Sequence, residues 1–365
     1  MRFYNLNGKS GFSAFLYLFV AISFSAALAA KPVKPKDDPY IFDEINPVYY
    51  KTDPAKLIRI KNSGDVAEIR AALADYIWQG KGLPSSKMPD SVDEGITDSR
   101  YESLYTGNLA RIDRVTIVTE PGLNSIAYFF IPKRANGELV IYHQGHDGDF
   151  VLGIDTIRGL VENGYAVFGF AMPQKGMNNK PIVYLERFGY FKLERHEHLQ
   201  LLDTPIRPFI EPVVVGVNYA LSIGYGPVHM TGISGGGWTT TVCASVDDRI
   251  SHSYPVAGSY PMYLKSESRR DWGDYEQTVH DLYKTANYLE MYILGAAGPG
   301  RRQMQVINRY DSCCYANVKF RTYEKIVSDT AAAVGGRFDV FCDESHREHK
   351  ISARALEAIL ADLGT

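Results

Sequence analysis

Between residues 65 and 79, apolar residues recur at helical spacing, with Ile69, Leu73 and Ile77 on one face. Ser63 or Asp65 is available as a cap and Gly80 as a stop, so the pattern predicts a helix lying against a larger body. From Arg111 the rhythm changes. Residues 114–119 and 125–131 are β-rich runs on either side of Pro121-Gly122, which predicts an antiparallel hairpin. Short apolar runs then follow at 138–142, 165–170, 228–231, 251–257, 303–308 and 337–342. They alternate with stretches of helical spacing at 154–163, 208–223, 239–246 and 352–363. Strands interleaved with helices predict an α/β fold built on a mostly parallel sheet covered on both faces. The remaining segments lack this pattern. Residues 31–54 are rich in Pro and charge and read as an extended arm, and 82–105 as loop. Residues 266–301 form an insertion carrying Trp272, Tyr275, Tyr283, Tyr288 and Tyr292, either a lid-like cover or rings packed against the core.

The first thirty residues stand apart from this pattern. Arg2 and Lys9 precede an uncharged apolar run over 11–28, and Ala26-Ala27-Leu28-Ala29-Ala30 leads to Lys31-Pro32. That is the layout of a secretory signal peptide cut near Ala29 or Ala30, the alternative being an uncut anchor. The expected organisation is therefore a leader over 1–30, an arm and helix over 31–110, and a catalytic domain over 111–365. The expected location is secreted or periplasmic, with no lasting membrane insertion after cleavage. The formal charge is −3, or about −5 once the two leader cations are removed (−3 minus 2). No basic field exists to hold nucleic acid, which excludes that class of partner. The four cysteines, Cys243, Cys313, Cys314 and Cys342, all follow the leader. An oxidising compartment would permit a bond from Cys313 or Cys314 to Cys342, and buried free thiols are the alternative.

Gly232-Ile233-Ser234-Gly235-Gly236-Gly237 follows a predicted strand and opens a predicted helix. A turn this sharp strains the backbone at Ser234, and the flanking glycines remove side chains that would clash. The hydroxyl then projects from the sheet edge, with a helix N-terminus favouring negative charge beside it. A phosphate loop would need Lys and Ser/Thr after the last glycine, where Trp238-Thr239 stands. Ser234 is thus the candidate nucleophile, and the Gly235 backbone N–H one donor to an oxyanion. His143, His146, Asp147 and Asp149 are close in sequence and form an alternative, a metal-dependent hydrolase using His143 and His146.

From Arg111 to the end, the chain resembles the α/β-hydrolase superfamily, its serine esterase and peptidase-like branches in particular. Gly-Ile-Ser-Gly-Gly-Gly-Trp after a strand is similar to their nucleophile elbow. The resemblance implies a mostly parallel eight-stranded sheet and a triad in the order Ser, Asp, His. Asp311, in the loop after the 303–308 strand, occupies the place of the acid. After the last strand two histidines are candidates for the base, which is most plausibly imidazole near neutral pH: His349, just before the helix cap Ser352, with His346 as the alternative. The loop His143-Gln144-Gly145-His146 occupies the place of the second oxyanion donor. The resemblance assigns that role to the His146 main-chain N–H, with His143 steadying the loop. It implies hydrolysis of a small-molecule carboxylic ester with no cofactor, or of a peptide or amide on the same fold. His196 and His198 are expected to line the pocket, and Asp271, Asp274 and Glu276 to sit on a solvated excursion.

Overall fold

The computed structural model describes residues 38, 40–266 and 268–364, so the leader predicted over 1–30 lies outside the described residues. The strands in chain order are β1 (Ser91–Asp93), β2 (Leu109–Thr119), β3 (Leu123–Pro132), β4 (Leu139–His143), β5 (Ala166–Phe170), β6 (Ile182–Leu185), β7 (Gly189–Lys192), β8 (Val228–Ile233), β9 (Ile250–Val256), β10 (Arg302–Asn308) and β11 (Arg337–Asp343). The α-helices are α1 (Ser63–Trp78), α2 (Ile154–Glu162), α3 (Arg207–Ser222), α4 (Gly235–Val246), α5 (His280–Thr285), α6 (Tyr288–Ala296), α7 (Glu324–Ala333) and α8 (Ala353–Leu363).

Nine strands form one sheet in the order β1-β2-β3-β5-β4-β8-β9-β10-β11, and β6 and β7 make a separate two-stranded ribbon. The first pairings, up to β3 with β5, are antiparallel. All later ones are parallel. Every residue of β4, β5 and β8 is buried, which is why these strands read as unbroken apolar runs: helices cover both of their faces. The register sets the site. His143 lies opposite Gly232, so the loops leaving β4 and β8 emerge side by side. Asn308 lies opposite Asp343, which does the same for the loops leaving β10 and β11.

The ninth strand is a correction. β1 falls in the stretch expected to be loop, and pairs Ser91–Asp93 with Arg114–Thr116 of β2 at the sheet edge. Three residues are too few to show a period of two. Helix α1 is capped by Asn62, whose side chain accepts from the N–H groups of Gly64 and Asp65, while Asp65 accepts from Asn62 in return. The helix closes on Gln79 in the left-handed region rather than on Gly80.

The residues from Asp38 on belong to one compact unit, arm and insertion included. Three of the insertion's rings pack inward: Tyr283, Tyr288 and Tyr292 are buried, with Tyr283 and Tyr288 stacked at 4.4 Å, and α6 lies on α4, while Trp272 is exposed. Asp271 and Glu276, expected in solvent, are fully buried. Asp271 pairs with Lys319 at 2.6 Å and accepts from the Tyr40 hydroxyl, which anchors the arm. Among the described residues no helix is long and apolar enough to cross a membrane.

Candidate active site

The turn between β8 and α4 places Ser234 at φ 59° and ψ −124°. A side chain there is strained by roughly 1–3 kcal/mol, which the surrounding packing must hold in place. Two backbone bonds do so: Ser234 N–H donates to Val256 O, and Trp238 N–H to Ser234 O, both at 2.9 Å. Close approach explains two glycines. A Cβ on Gly236 would lie 2.0 Å from His143 O, and one on Gly145 would lie 2.7 Å from both Ile233 O and Ser234 Cβ. The loop after β4 is therefore seated directly on the elbow. Helix α4, buried along its whole length, starts at Gly235 and directs its first N–H groups to the same edge.

Asp311 is fully buried just beyond β10. Its Oδ1 accepts from the Cys313 N–H at 2.7 Å, and its Oδ2 from Asn308 Nδ2 at 3.3 Å. His349 Nδ1 lies 2.6 Å from Oδ2. Burial disfavours the His349 imidazolium, but the Asp311 carboxylate outweighs it and raises the imidazole above its ordinary pKa. His346 is assigned elsewhere: its Nε2 faces Asp343 at 3.3 Å. Asp343 also accepts from the Ser352 hydroxyl and, at 2.8 Å, from the Ser345 N–H, so this acid ties down the start of α8. The two histidines left open by the sequence thus have different acids, and only His349 has Asp311.

No direct hydrogen bond joins Ser234 to His349 among the described residues; Cys314 adjoins both. Its Sγ lies 3.7 Å from His349 Nε2, and the Ser234 hydroxyl is among its side-chain partners. Of the two readings the sequence left open for this residue, a bridge to Cys342 or a free thiol, the bridge is not formed: all four cysteines are free thiols. Cys313 and Cys314 place their sulfurs 3.4 Å apart. Hydrogen bonding from Cys314 lowers the Cys313 thiol to about 7 and pushes Cys314 itself up.

His143 and His146 separate. His143 is buried beneath the loop, with Nδ1 2.8 Å from Gln144 O, and burial lowers it to about 4, so it is a neutral donor there. His146 points the other way. Its ring abuts Gly235, where a Cβ would lie 2.4 Å from Cε1, and its Nε2 meets Asp274, Glu276 and His196. His143 and His146 share no side-chain partner, and the group of metal-capable side chains that gathers around His146 does not include His143. His198 accepts instead from the N–H groups of Glu194 and Arg195. A cleft of about 260 Å³ opens beside His349, lined by Tyr142, Gln144, Asp147, Ile233 and Lys350. A larger one of about 730 Å³, over Tyr40, Phe42, Arg270 and Lys319, shares no lining residue with it and holds no nucleophile beside a base. His349 lines the smaller cleft, and Ile233 brings its wall to the residue before Ser234.

No family model matches the sequence, and no curated protein does. Solved structures do match. An acetyl xylan esterase from Paenibacillus sp. R4 superimposes with a TM-score of 0.53 at 13% identity, over 88% of this chain and 99% of its own. Acetyl xylan esterase 1 from Thermoanaerobacterium sp. gives 0.53 at 13% identity over 88% and 98%. A methylesterase gives 0.51 at 14% identity over 88% of this chain and 69% of its own. The architecture is that of esterases of the α/β-hydrolase fold.

Proposed function

We propose that this chain is an exported serine hydrolase that cleaves carboxylic esters through an acyl-enzyme intermediate. The observation that carries the reading is the His349–Asp311 pair at 2.6 Å, with Cys314 Sγ 3.7 Å from the Nε2 of that imidazole and Ser234 on its strained turn beside it. In this reading, substrate entry lets Ser234 Oγ meet His349 Nε2 directly, since hydrogen bonds at such sites tighten on binding. Ser234 attacks the carbonyl carbon while Nε2 takes its proton. Asp311 holds the Nδ1–H tautomer and stabilises the imidazolium. The oxyanion is received by the N–H groups of Gly235 and His146, and His349 returns the proton to the leaving alcohol. Water then repeats the sequence on the acyl group. No cofactor enters these steps. The esterases that share the fold support an ester as substrate, and the leader over 1–30 supports export.

The test is labelling with a fluorophosphonate probe, alongside turnover of a panel of p-nitrophenyl esters. The wild-type chain is expected to label. Ser234→Ala is expected to lose both labelling and about 10⁶-fold in kcat. Equal labelling of the two proteins would overturn the reading. Export is tested by the N-terminus of the mature protein, expected at Ala30 or Lys31.

A further inference from the structure

Four side chains from three separate segments converge beside the elbow without taking part in the steps above. His146 lies in the loop after β4, His196 between β7 and α3, and Asp274 and Glu276 in the insertion. His146 Nε2 is 3.0 Å from Asp274 Oδ2, 3.1 Å from Glu276 Oε1 and 3.3 Å from His196 Nε2. His196 Nε2 is 3.2 Å from Glu276 Oε2, and one donor atom from each of the four residues lies within 4.8 Å of all the others. We propose that His146, His196, Asp274 and Glu276 bind a divalent transition-metal ion of the zinc class, which clamps the loop after β4 to the insertion.

Hydrogen counting argues for a cation. Each Nε2 carries at most one proton, directed along one line in the ring plane. His146 Nε2 faces two carboxylates and a second imidazole nitrogen, so one N–H cannot satisfy all three. Two nitrogens 3.3 Å apart, both protonated, would repel. Glu276 Oε1 is buried and receives no aligned hydrogen bond. Among the described residues, neither Asp274 nor Glu276 forms an ion pair with a lysine or arginine. Glu276 is fully buried, so facing neutral imidazoles its charge lacks a partner, and the half-exposed Asp274 adds a second negative charge beside it; buried charges are stable only when paired or bound to metal.

The spacing fits the ion. Bonds of about 2.0–2.1 Å set the ligand atoms of a tetrahedron about 3.3 Å apart. Four contacts run from 3.0 to 3.3 Å, the two made by Glu276 using different oxygens; with one atom from each residue the set lies within 4.8 Å, so binding draws the more distant ligands inward. Two imidazoles and two carboxylate oxygens are a borderline-to-hard set that suits zinc more than calcium or copper(I). A proton on His146 is the competing occupant. Burial opposes it, but Asp274 and Glu276 raise this imidazole to about 9. The same two carboxylates that hold the proton would hold the ion in its place. The second ligand ring is kept in position by aromatic contacts, with Phe209 at 5.2 Å and Tyr275 at 5.6 Å. Four protein ligands leave no open position, so the ion is structural. Because the His146 ring rests on Gly235, it fixes the loop that borders Ser234.

The experiment uses the untagged chain, stripped with a chelator, then loaded with zinc chloride and dialysed against metal-free buffer. Bound zinc is read by mass spectrometry and the unfolding midpoint by circular dichroism. The wild-type chain is expected to retain about one equivalent and to unfold at higher temperature when loaded. Glu276→Gln and His196→Gln are each expected to weaken zinc binding at least about 10-fold, while Asp281→Asn, on the exposed surface of α5, leaves it unchanged. Asp274→Asn replaces Glu276→Gln if the latter does not fold. Cys313→Ala/Cys314→Ala separates the second cluster of metal-capable side chains, Cys313, Cys314 and His349. Two results overturn the proposal: retention by wild type below about 0.2 equivalents, or zinc lost with the cysteines and kept in Glu276→Gln. A serine site that fails the probe test leaves this measurement intact, so the two readings fail separately.

Discussion

Asp311 concentrates the polar chemistry of the site on one buried carboxylate. It takes a backbone N–H, an amide and an imidazole at once, so its orientation is set before any substrate arrives. The His349 pKa is raised because Asp311 outweighs burial, and a general base must be neutral to work. The kcat/KM of the wild-type chain is therefore expected to climb as pH rises through that raised value. In Asp311→Asn the raising partner is gone. The acidic limb of the pH–rate profile should move to lower pH, while the plateau falls roughly 10³–10⁴-fold because the tautomer is no longer held. A profile whose limb stays in place would assign the base to another residue. The raised pKa also bears on stability. Its contribution is full below the ordinary histidine pKa and is lost as pH rises through the raised one.

Among the elements, the seating of the loop after β4 on the turn before α4 decides the geometry. Gly145 has no space for a methyl group on the side of Ile233 O and Ser234 Cβ. Gly145→Ala is expected to displace the loop, lowering kcat/KM roughly 10²-fold, as misplacements of about 1 Å do. Steady-state kinetics at temperatures where circular dichroism shows a folded chain would check it, and an unchanged kcat/KM would mean the loop takes no part in the chemistry. Helix α1 gives a contrasting case without effect on the site. Asn62→Ala removes the acceptor of two helix-end N–H groups and should cost about 1 kcal/mol in urea denaturation.

For the whole molecule, the arm and the insertion act as parts of one body. Glu290, fully buried on α6, accepts from the Arg59 backbone and guanidinium as well as from the Asn287 N–H. Arg59 also reaches the Thr285 carbonyl, so one residue of the N-terminal segment before α1 fastens the start of α6. Glu290→Ala strips several donors of their acceptor. It is expected to lower the unfolding free energy by about 1–3 kcal/mol in equilibrium denaturation. If the arm were a separate appendage, that variant would unfold like the wild type.

The element order and the strained serine turn were legible in the sequence because their signals are local. A strand's apolar run, a helix's spacing and a glycine's missing side chain are each written in contiguous residues. Asp311 and the pair His346 and His349 were legible as positions in loops, through the resemblance to the α/β-hydrolases. Which histidine faces Asp311 was not, since that follows from the register of β10 against β11 and the path of the loop after it. The same reason hides β1, whose three residues acquire meaning only beside β2. Asp271 and Glu276 look solvated in one dimension, because charge predicts exposure unless a partner far along the chain takes it inside. Lys319 does this for Asp271, and two histidines from other loops do it for Glu276. Cys314 gains its place beside His349 in the same way. Local order in the chain determined the elements and the turn; contacts between distant loops, which only folding brings within bonding range, decided the partners.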